Sequence, residues 1–480
     1  MLHPSGEEPR DRPRPKGTAW ALIATSLPMF MVAVDNLVVT NALTVIADDL
    51  NTRQSGLQWV VNGYILAFAG LLLAGAALGD RIGRRRVFVW GIGLFTVASA
   101  ACALADSAGA LVAARVVQGA GAAAVLPVSL TLAVASVDAG RRPLAVGVWG
   151  GVNGLGIALG PMAGGLVTQG LDWHWIFWIN VPVGIVALPL ALWAIRESKG
   201  APRPLDIPGI VLVTGAVVAA VWGIVQAADG GWAAARPLAG LAASAALFAA
   251  FAVWQRRTPT PLAPLHLYRV RPFMLSNALA LAMYFGVFGS IFFLAQFMQG
   301  PMGYSPFEAG LRTLPWTAAP MVVVPLASAL TGRVGGGLLQ ATGCLLQAVA
   351  LVWLALISRP GLAYGEMVGA MVLAGVGMGL VFAANPATVI GSVAGHEHNL
   401  ASGVNNTVRE FGGALGIAVL TAVYSHGGLR SAVLTGAAVV FAGTFAGLAI
   451  DRAPARPGSV PAPSASRSAP SDRPEPSRLP

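Results

Sequence analysis

Hydrophobic and polar positions alternate along this 480-residue chain on the scale of whole helices. Apolar runs occupy about 19–48, 56–79, 87–105, 110–135, 144–168, 176–195, 207–227 and 237–254, then 274–297, 309–331, 336–357, 364–390, 401–425 and 431–450. Most are long enough to cross a hydrocarbon layer of roughly 30 Å at about 1.5 Å per residue. Short polar stretches separate them, and a longer basic stretch, 255–272, divides the first eight from the last six. The pattern predicts fourteen helices, an even number that returns the chain to the side on which it starts. Residues 1–18 are rich in Pro and charge and 451–480 in Pro, Ser and Arg, so both are expected to be disordered cytoplasmic tails.

Composition turns this pattern into a fold class. Hydrophobic residues make up 56% of the chain and charged residues 10%, against about 25% charged in soluble domains. The expectation is an all-α integral membrane protein in a lipid bilayer. The net charge of +10 changes the picture only through where it lies. Of the 30 Lys and Arg residues, 23 fall on the side of the two termini, five on the opposite side, and Arg115 and Arg409 within runs. That asymmetry places both termini in the cytoplasm. It also accounts for the positive charge without a nucleic-acid partner. The first run is too long for a cleaved signal and is expected to remain as an anchor.

Several classes of chemistry are excluded. Cys102 and Cys344 lie in separate runs and suggest no disulfide framework. The six histidines are scattered, so neither a metal site nor a catalytic cluster is predicted, and the protein is not expected to be an enzyme. No GxxxxGK[ST] loop for ATP is present.

The fifth run contains an unusual concentration of glycine. Its uncharged part extends from Pro143 to Leu171. At about 100° per residue, Gly147, Gly151, Gly154 and Gly165 share one side, while Gly156, Gly160 and Gly164 share roughly the other, with Pro161 between. Small residues let membrane helices approach closely, so this helix is expected to be pressed between neighbours on two faces.

The chain also echoes itself. The second run ends in Gly79-Asp80-Arg81-Ile82-Gly83-Arg84 and the tenth in Gly332-Arg333-Val334-Gly335. Aligning Arg81 with Arg333 aligns Gly83 with Gly335. The expected organisation is a six-helix half at 19–195, an inserted helix pair with flanking basic loops at 196–273, and a second six-helix half at 274–450. Repeated halves with a site between them are a common plan of secondary transporters.

These stretches resemble the major facilitator superfamily, specifically its fourteen-helix drug:proton antiporters, over about 19–450. Leu78–Phe88 (LGDRIGRRRVF) is similar to the loop between helices 2 and 3, although Ala76 stands where that pattern opens with glycine. The resemblance implies a conformational latch of Asp80, Arg81, Gly83, Arg84 and Arg85, with Asp138 a candidate partner for Arg84 or Arg85. Leu111–Pro127 resembles the helix 4 motif, implying a part in proton transfer for Arg115, with Gln118 nearby. Gly147, Gly156, Gly160, Pro161, Gly164 and Gly165 match the helix 5 antiporter motif, which the family associates with export.

Trp173–Pro182 resembles the aromatic start of helix 6, with its tryptophans expected as interface anchors. Helix 1 carries Asp35 before Asn36 and Asn41, with Thr44 where the family has proline. Helix 13 carries Arg409 and Glu410, the latter where glutamine is frequent. Asp35 and Glu410 are alternative proton carriers, with Arg115 and Arg409 their neighbouring cations. Gln118, Asn41, Asn153, Tyr284, Asn385 and Asn405 are expected along a substrate cavity. The resemblance implies a plasma-membrane exporter of hydrophobic or cationic drugs or antibiotics, working by alternating access as a monomer. Its energy source would be the proton gradient, with no cofactor. A superfamily importer or exporter of another small metabolite is the alternative.

Overall fold

The computed structural model describes residues 18–52, 54–138, 141–199, 206–262, 266–359, 361–394 and 397–450. The expected tails lie outside these residues, apart from Thr18. Every regular element among the described residues is helical. The first five runs form α1 (Thr18–Asp49), α2 (Gln54–Ile82), α3 (Arg84–Ala103), α4 (Ala108–Ala135) and α5 (Arg142–Gly170). The sixth is divided into α6 (Trp175–Trp178) and α7 (Asn180–Ala194), and the next two form α8 (Ile207–Gly230) and α9 (Ala235–Arg257). After a short 3-10 turn at Leu267–Arg269 comes α10 (Arg271–Gln299).

The tenth run is broken into α11 (Pro306–Arg312), α12 (Leu314–Thr317) and α13 (Ala319–Val334). Pro315 and Pro320 stand at the starts of the last two, and proline supplies no amide to continue the preceding helix. The described residues end in α14 (Gly336–Ile357), α15 (Tyr364–Gly391) and α16 (His398–Ile450). The last two runs are joined within α16 by a break at Gly428, at φ 67° and ψ −174°. Among the described residues, thirteen segments are long and apolar enough to cross a membrane. The remaining expected run is the part of α16 before Gly428, which Arg409, Glu410 and its asparagines make less apolar.

Gly83 and Gly335, aligned by the sequence echo, precede α3 and α14 with closely similar backbones: φ 125°, ψ 129° and φ 94°, ψ 139°. Positive φ at these corners is open to glycine and strained for other residues. One core joins α1–α4, α6 and α7 around Phe88, Phe95 and Phe177, and reaches α8 and parts of α10 and α16. A second lies among α10, α14, α15 and the end of α16. α8 packs on both α2 and α16, and α9 packs on α8.

The base of the α8–α9 pair is tied by Asp206. Its carboxylate accepts from Gly209 N at 2.9 Å, Trp254 Nε1 at 2.6 Å, Gln255 Nε2 at 2.6 Å and Leu262 N at 3.1 Å. Burial pushes the Asp206 carboxyl up, but these donors outweigh it and hold it below the usual carboxylate range.

The two faces of α5 meet different halves. Gly156 packs on Ala33, Gly160 on Leu37 and Gly164 on the backbone of Val38, all in α1. A Cβ at Gly164 would overlap the Val38 carbonyl. On the other face, Gly165 lies against the carbonyl of Pro306 in α11, and Thr317 Oγ1 donates to Ala158 O at 3.4 Å. Towards the start of α5 this second seam loosens: a Cβ on Gly154 would be 3.8 Å from Met321, and one on Gly151 would meet nothing within 4 Å. The seam is therefore closed on the side away from the chain termini, the far side, and open towards the termini. The surroundings of Gly147 lie outside the described residues.

Candidate coupling site

Hydropathy leaves Asp35 and Arg115 as charges inside apolar helices, and the fold brings them together. Asp35 Oδ2 is 2.5 Å from Arg115 Nη1, with neither residue exposed. A lone buried charge is expensive, and even a pair requires further hydrogen bonds. Here they come from α4 itself and from three other helices, α2, α3 and α7. Gln118 Nε2 and Asn180 Nδ2 each donate to Asp35 Oδ1 at 2.9 Å. Arg115 Nε donates to Val60 O at 3.2 Å and Nη1 to Gln118 Oε1 at 2.7 Å. Ser99 Oγ accepts from Gln118 Nε2 at 2.6 Å and from Asn180 Nδ2 at 3.2 Å. The guanidinium lies 4.1 Å from the centre of the Tyr64 ring. Asp35 is thus a sealed carboxylate, and releasing it requires α1 to move relative to α4 and α7.

The second pair of charges is arranged differently. Arg409 and Glu410 are both half-buried on α16 and do not pair. Arg409 donates to the Tyr284 hydroxyl and, at 3.2 Å, to Asn406 Oδ1. Its guanidinium lies 4.6 Å from the Tyr284 ring centre and 5.4 Å from that of Phe382. Tyr284 stacks on Phe288 at 5.1 Å. Glu410 has no hydrogen-bond partner among the described residues. It is a half-buried acid without the sealed network that holds Asp35.

Several residues expected along a cavity stand elsewhere. Gln118 belongs to the sealed Asp35 network. Asn385 is buried, donating to Ser276 O at 2.8 Å and Gln340 Oε1 at 2.9 Å. Asn405 is buried and donates to Asn277 Oδ1 at 3.1 Å. These three hold helices together within a half. Tyr284 is buried under Arg409, Asn153 is half-buried on α5, and the side chain of Asn41 lies outside the described residues.

The latch also differs in its partners. Arg84 bonds to Asp80 of its own corner at 2.7 Å. Arg85 Nη1 reaches the carbonyls of Ile195 at 3.3 Å and Leu192 at 3.5 Å. Asp138 joins neither; its carbonyl accepts from Arg141 N at 2.9 Å. Arg81 closes the last turn of α2. The acid that closes the corner is Glu197, overlooked in the sequence. It accepts from the amides of Arg85 at 3.0 Å and Arg86 at 3.3 Å and lies 3.8 Å from Arg86 Nε. Its signal was a carboxylate just past the sixth run, on the same side as the start of α3. Trp173, expected at the lipid interface, is buried and donates to Asp49 Oδ2 at 2.8 Å, whereas Trp175 is exposed.

Comparison with known proteins bears on what this arrangement does. Residues 25–417 match the Major Facilitator Superfamily. The chain is 35% identical over 408 residues to a tetracenomycin C resistance and export protein of Streptomyces glaucescens, covering 84% of this chain and 76% of that one. It is 37% identical over 415 residues to the cephamycin export protein CmcT of Amycolatopsis lactamdurans, covering 85% of each. Among solved structures, a POT family transporter in complex with 5-aminolevulinic acid superposes with a TM-score of 0.68 at 12% identity, covering 91% of this chain and 96% of that one. At that identity the likeness is one of fold.

Proposed function

Since the chain belongs to the Major Facilitator Superfamily and resembles exporters of antibiotics, we propose that it is a proton-coupled exporter of small hydrophobic or cationic drug-like molecules. It acts in the plasma membrane as a single chain, with both termini in the cytoplasm. The excess of Lys and Arg on the termini side supports that orientation. This conformation is then closed to the outside and open to the cytoplasm along the α5 seam.

The observation that carries the coupling is the position of the Asp35–Arg115 pair. Asp35 stands on the stretch of α1, Ala33–Val38, that the α5 glycines grip. The opposite face of α5 touches α11 of the other half through Gly165 and Pro306. Neutralising Asp35 removes the charge that holds Arg115, and the resulting shift of α1 passes through α5 to the seam between halves. Glu410 is the acid that exchanges a proton while the cytoplasmic side is open, and Asp35 the one reached when the outer side opens. The drug occupies the space between the halves beside Arg409, Glu410 and Asn153. The latch of Asp80, Gly83, Arg84, Arg85 and Glu197 braces the cytoplasmic corner.

Everted vesicles from a host lacking its own pumps test this reading. An imposed pH gradient should drive drug uptake into them, and collapsing it should stop that uptake. Uptake that ignores the gradient would remove the proton from the mechanism.

A further inference from the structure

Amides within the spans generally find partners. Gln118, Asn180, Gln340, Asn385 and Asn405 all donate hydrogen bonds. Gln58 and Asn62 of α2 do not. Both are fully buried, and none of their four amide atoms has a partner among the described residues. Leaving such groups dry and unpaired is costly, and native proteins rarely do it without a reason. Gln347 of α14 shares this condition but is packed against Gly377 of α15, inside one half.

The place of Gln58 and Asn62 is different. They are one turn apart and share a face of α2. Further along α2, Leu73 packs on Gly403 of α16, and Thr407 Oγ1 donates to Ala69 O at 3.3 Å. Each turn back along α2 is matched by a turn forward along α16. The register therefore carries Asn62 towards Ala414 and Gln58 towards Ala418, both fully buried. The register thus sets two carboxamides opposite methyl groups at the far-side end of the α2–α16 seam between the halves. In an alternating-access cycle this is the surface that parts, and both amides would then meet whatever passes outwards.

We propose that Gln58 and Asn62 form a hydrogen-bonding subsite on the far-side release path, taking uncharged hydroxyl, phenol or amide groups of the exported molecule. This rests on the export reading above. Each carboxamide offers two donor hydrogens and an acceptor oxygen. A site built to hydrogen-bond its cargo discriminates strongly against analogues that lack those groups.

Two cationic probes separate this role from a structural one: doxorubicin, rich in hydroxyl and phenol groups, and tetraphenylphosphonium, which has none. In pump-deficient cells, Gln58→Leu/Asn62→Leu should lower doxorubicin export roughly tenfold while leaving tetraphenylphosphonium within about twofold of wild type. The exchanged pair Gln58→Asn/Asn62→Gln, which keeps both amides, should retain doxorubicin export. In intact cells, Asn62→Cys should react with a membrane-impermeant maleimide, more slowly with doxorubicin present; the native Cys102 and Cys344 are buried. Equal loss of both probes at normal membrane abundance, no loss of either, or an unreactive Asn62→Cys would each overturn the subsite. If wild type exports neither probe, the export reading is what fails, whereas the labelling arm reports the opening of the seam independently.

Discussion

Gly164 of α5 lies against the backbone carbonyl of Val38 on α1, one turn from Asp35. A tight helix contact of the first half thus lies one turn from its buried ion pair. Gly164→Ala would force the two backbones apart, and overpacking of this kind costs about 1–3 kcal/mol. Gly151→Ala, on the open part of the same helix, meets nothing within 4 Å and should be neutral or up to about 1 kcal/mol stabilising. Melting temperatures in detergent, beside drug export, would distinguish the two. Gly160→Leu should impair transport still more, because the Leu37 Cβ already lies 3.0 Å from a modest Cβ.

The Asp35–Arg115 pair should behave non-additively. Removing either partner leaves a buried charge alone, at a cost of about 3–5 kcal/mol. Asp35→Asn and Arg115→Gln should therefore each destabilise more than Asp35→Asn/Arg115→Gln. A double-mutant cycle read by thermal unfolding checks this. All three variants should lose gradient-driven export, whereas Glu410→Gln should leave stability nearly unchanged and lose the coupling alone.

Glu197 caps α3 from a distant part of the chain, and losing a helix cap costs about 0.5–2 kcal/mol. Glu197→Ala should destabilise by that order and Glu197→Gln by less, because the amide oxygen still accepts from Arg85 and Arg86. Gly83→Ala should be worse than either: a Cβ there would lie 2.7 Å from the Glu197 carboxyl carbon at a φ of 125°.

Asp206 gives the α8–α9 pair an acid limit. Its folded carboxyl titrates below the usual value of about 3.9. The stability it contributes is therefore fully present above that unfolded value and is lost as pH falls through the folded one. Melting curves between pH 7 and pH 3 should drop at the acid end in the wild type and drop less in Asp206→Asn. That variant should be weaker at neutral pH by on the order of 2–3 kcal/mol.

The crossings were legible because hydropathy along a chain records where lipid lies. The corner glycines Gly83 and Gly335 were legible because only certain residues suit their backbone. Partnership was not. Asp35 meets Arg115, Gln118 and Asn180 across 80 to 145 positions, and a helix apolar on all sides gives no periodicity from which to read its faces. The same blindness placed Gln118, Asn385 and Asn405 on a cavity wall when they bind helices together. It passed over Glu197, which looks like one more polar residue in a loop, and Gln58 and Asn62, which look like ordinary polar residues near a helix end. The breaks at Pro315 and Pro320 were written in the chain, yet the surrounding hydropathy concealed them.

Because α8 rests on both α2 and α16, the molecule has one braced flank and one bare one. Among the described residues, the seam of α5 with α11–α13 has no such strap. Motion between the halves is then lopsided, like a book bound along one edge: the α2–α16 edge is the spine, and the α5 edge swings widest. A greasy solute dissolved in the leaflet on the side of the termini would find a covered spine on one flank and open pages on the other.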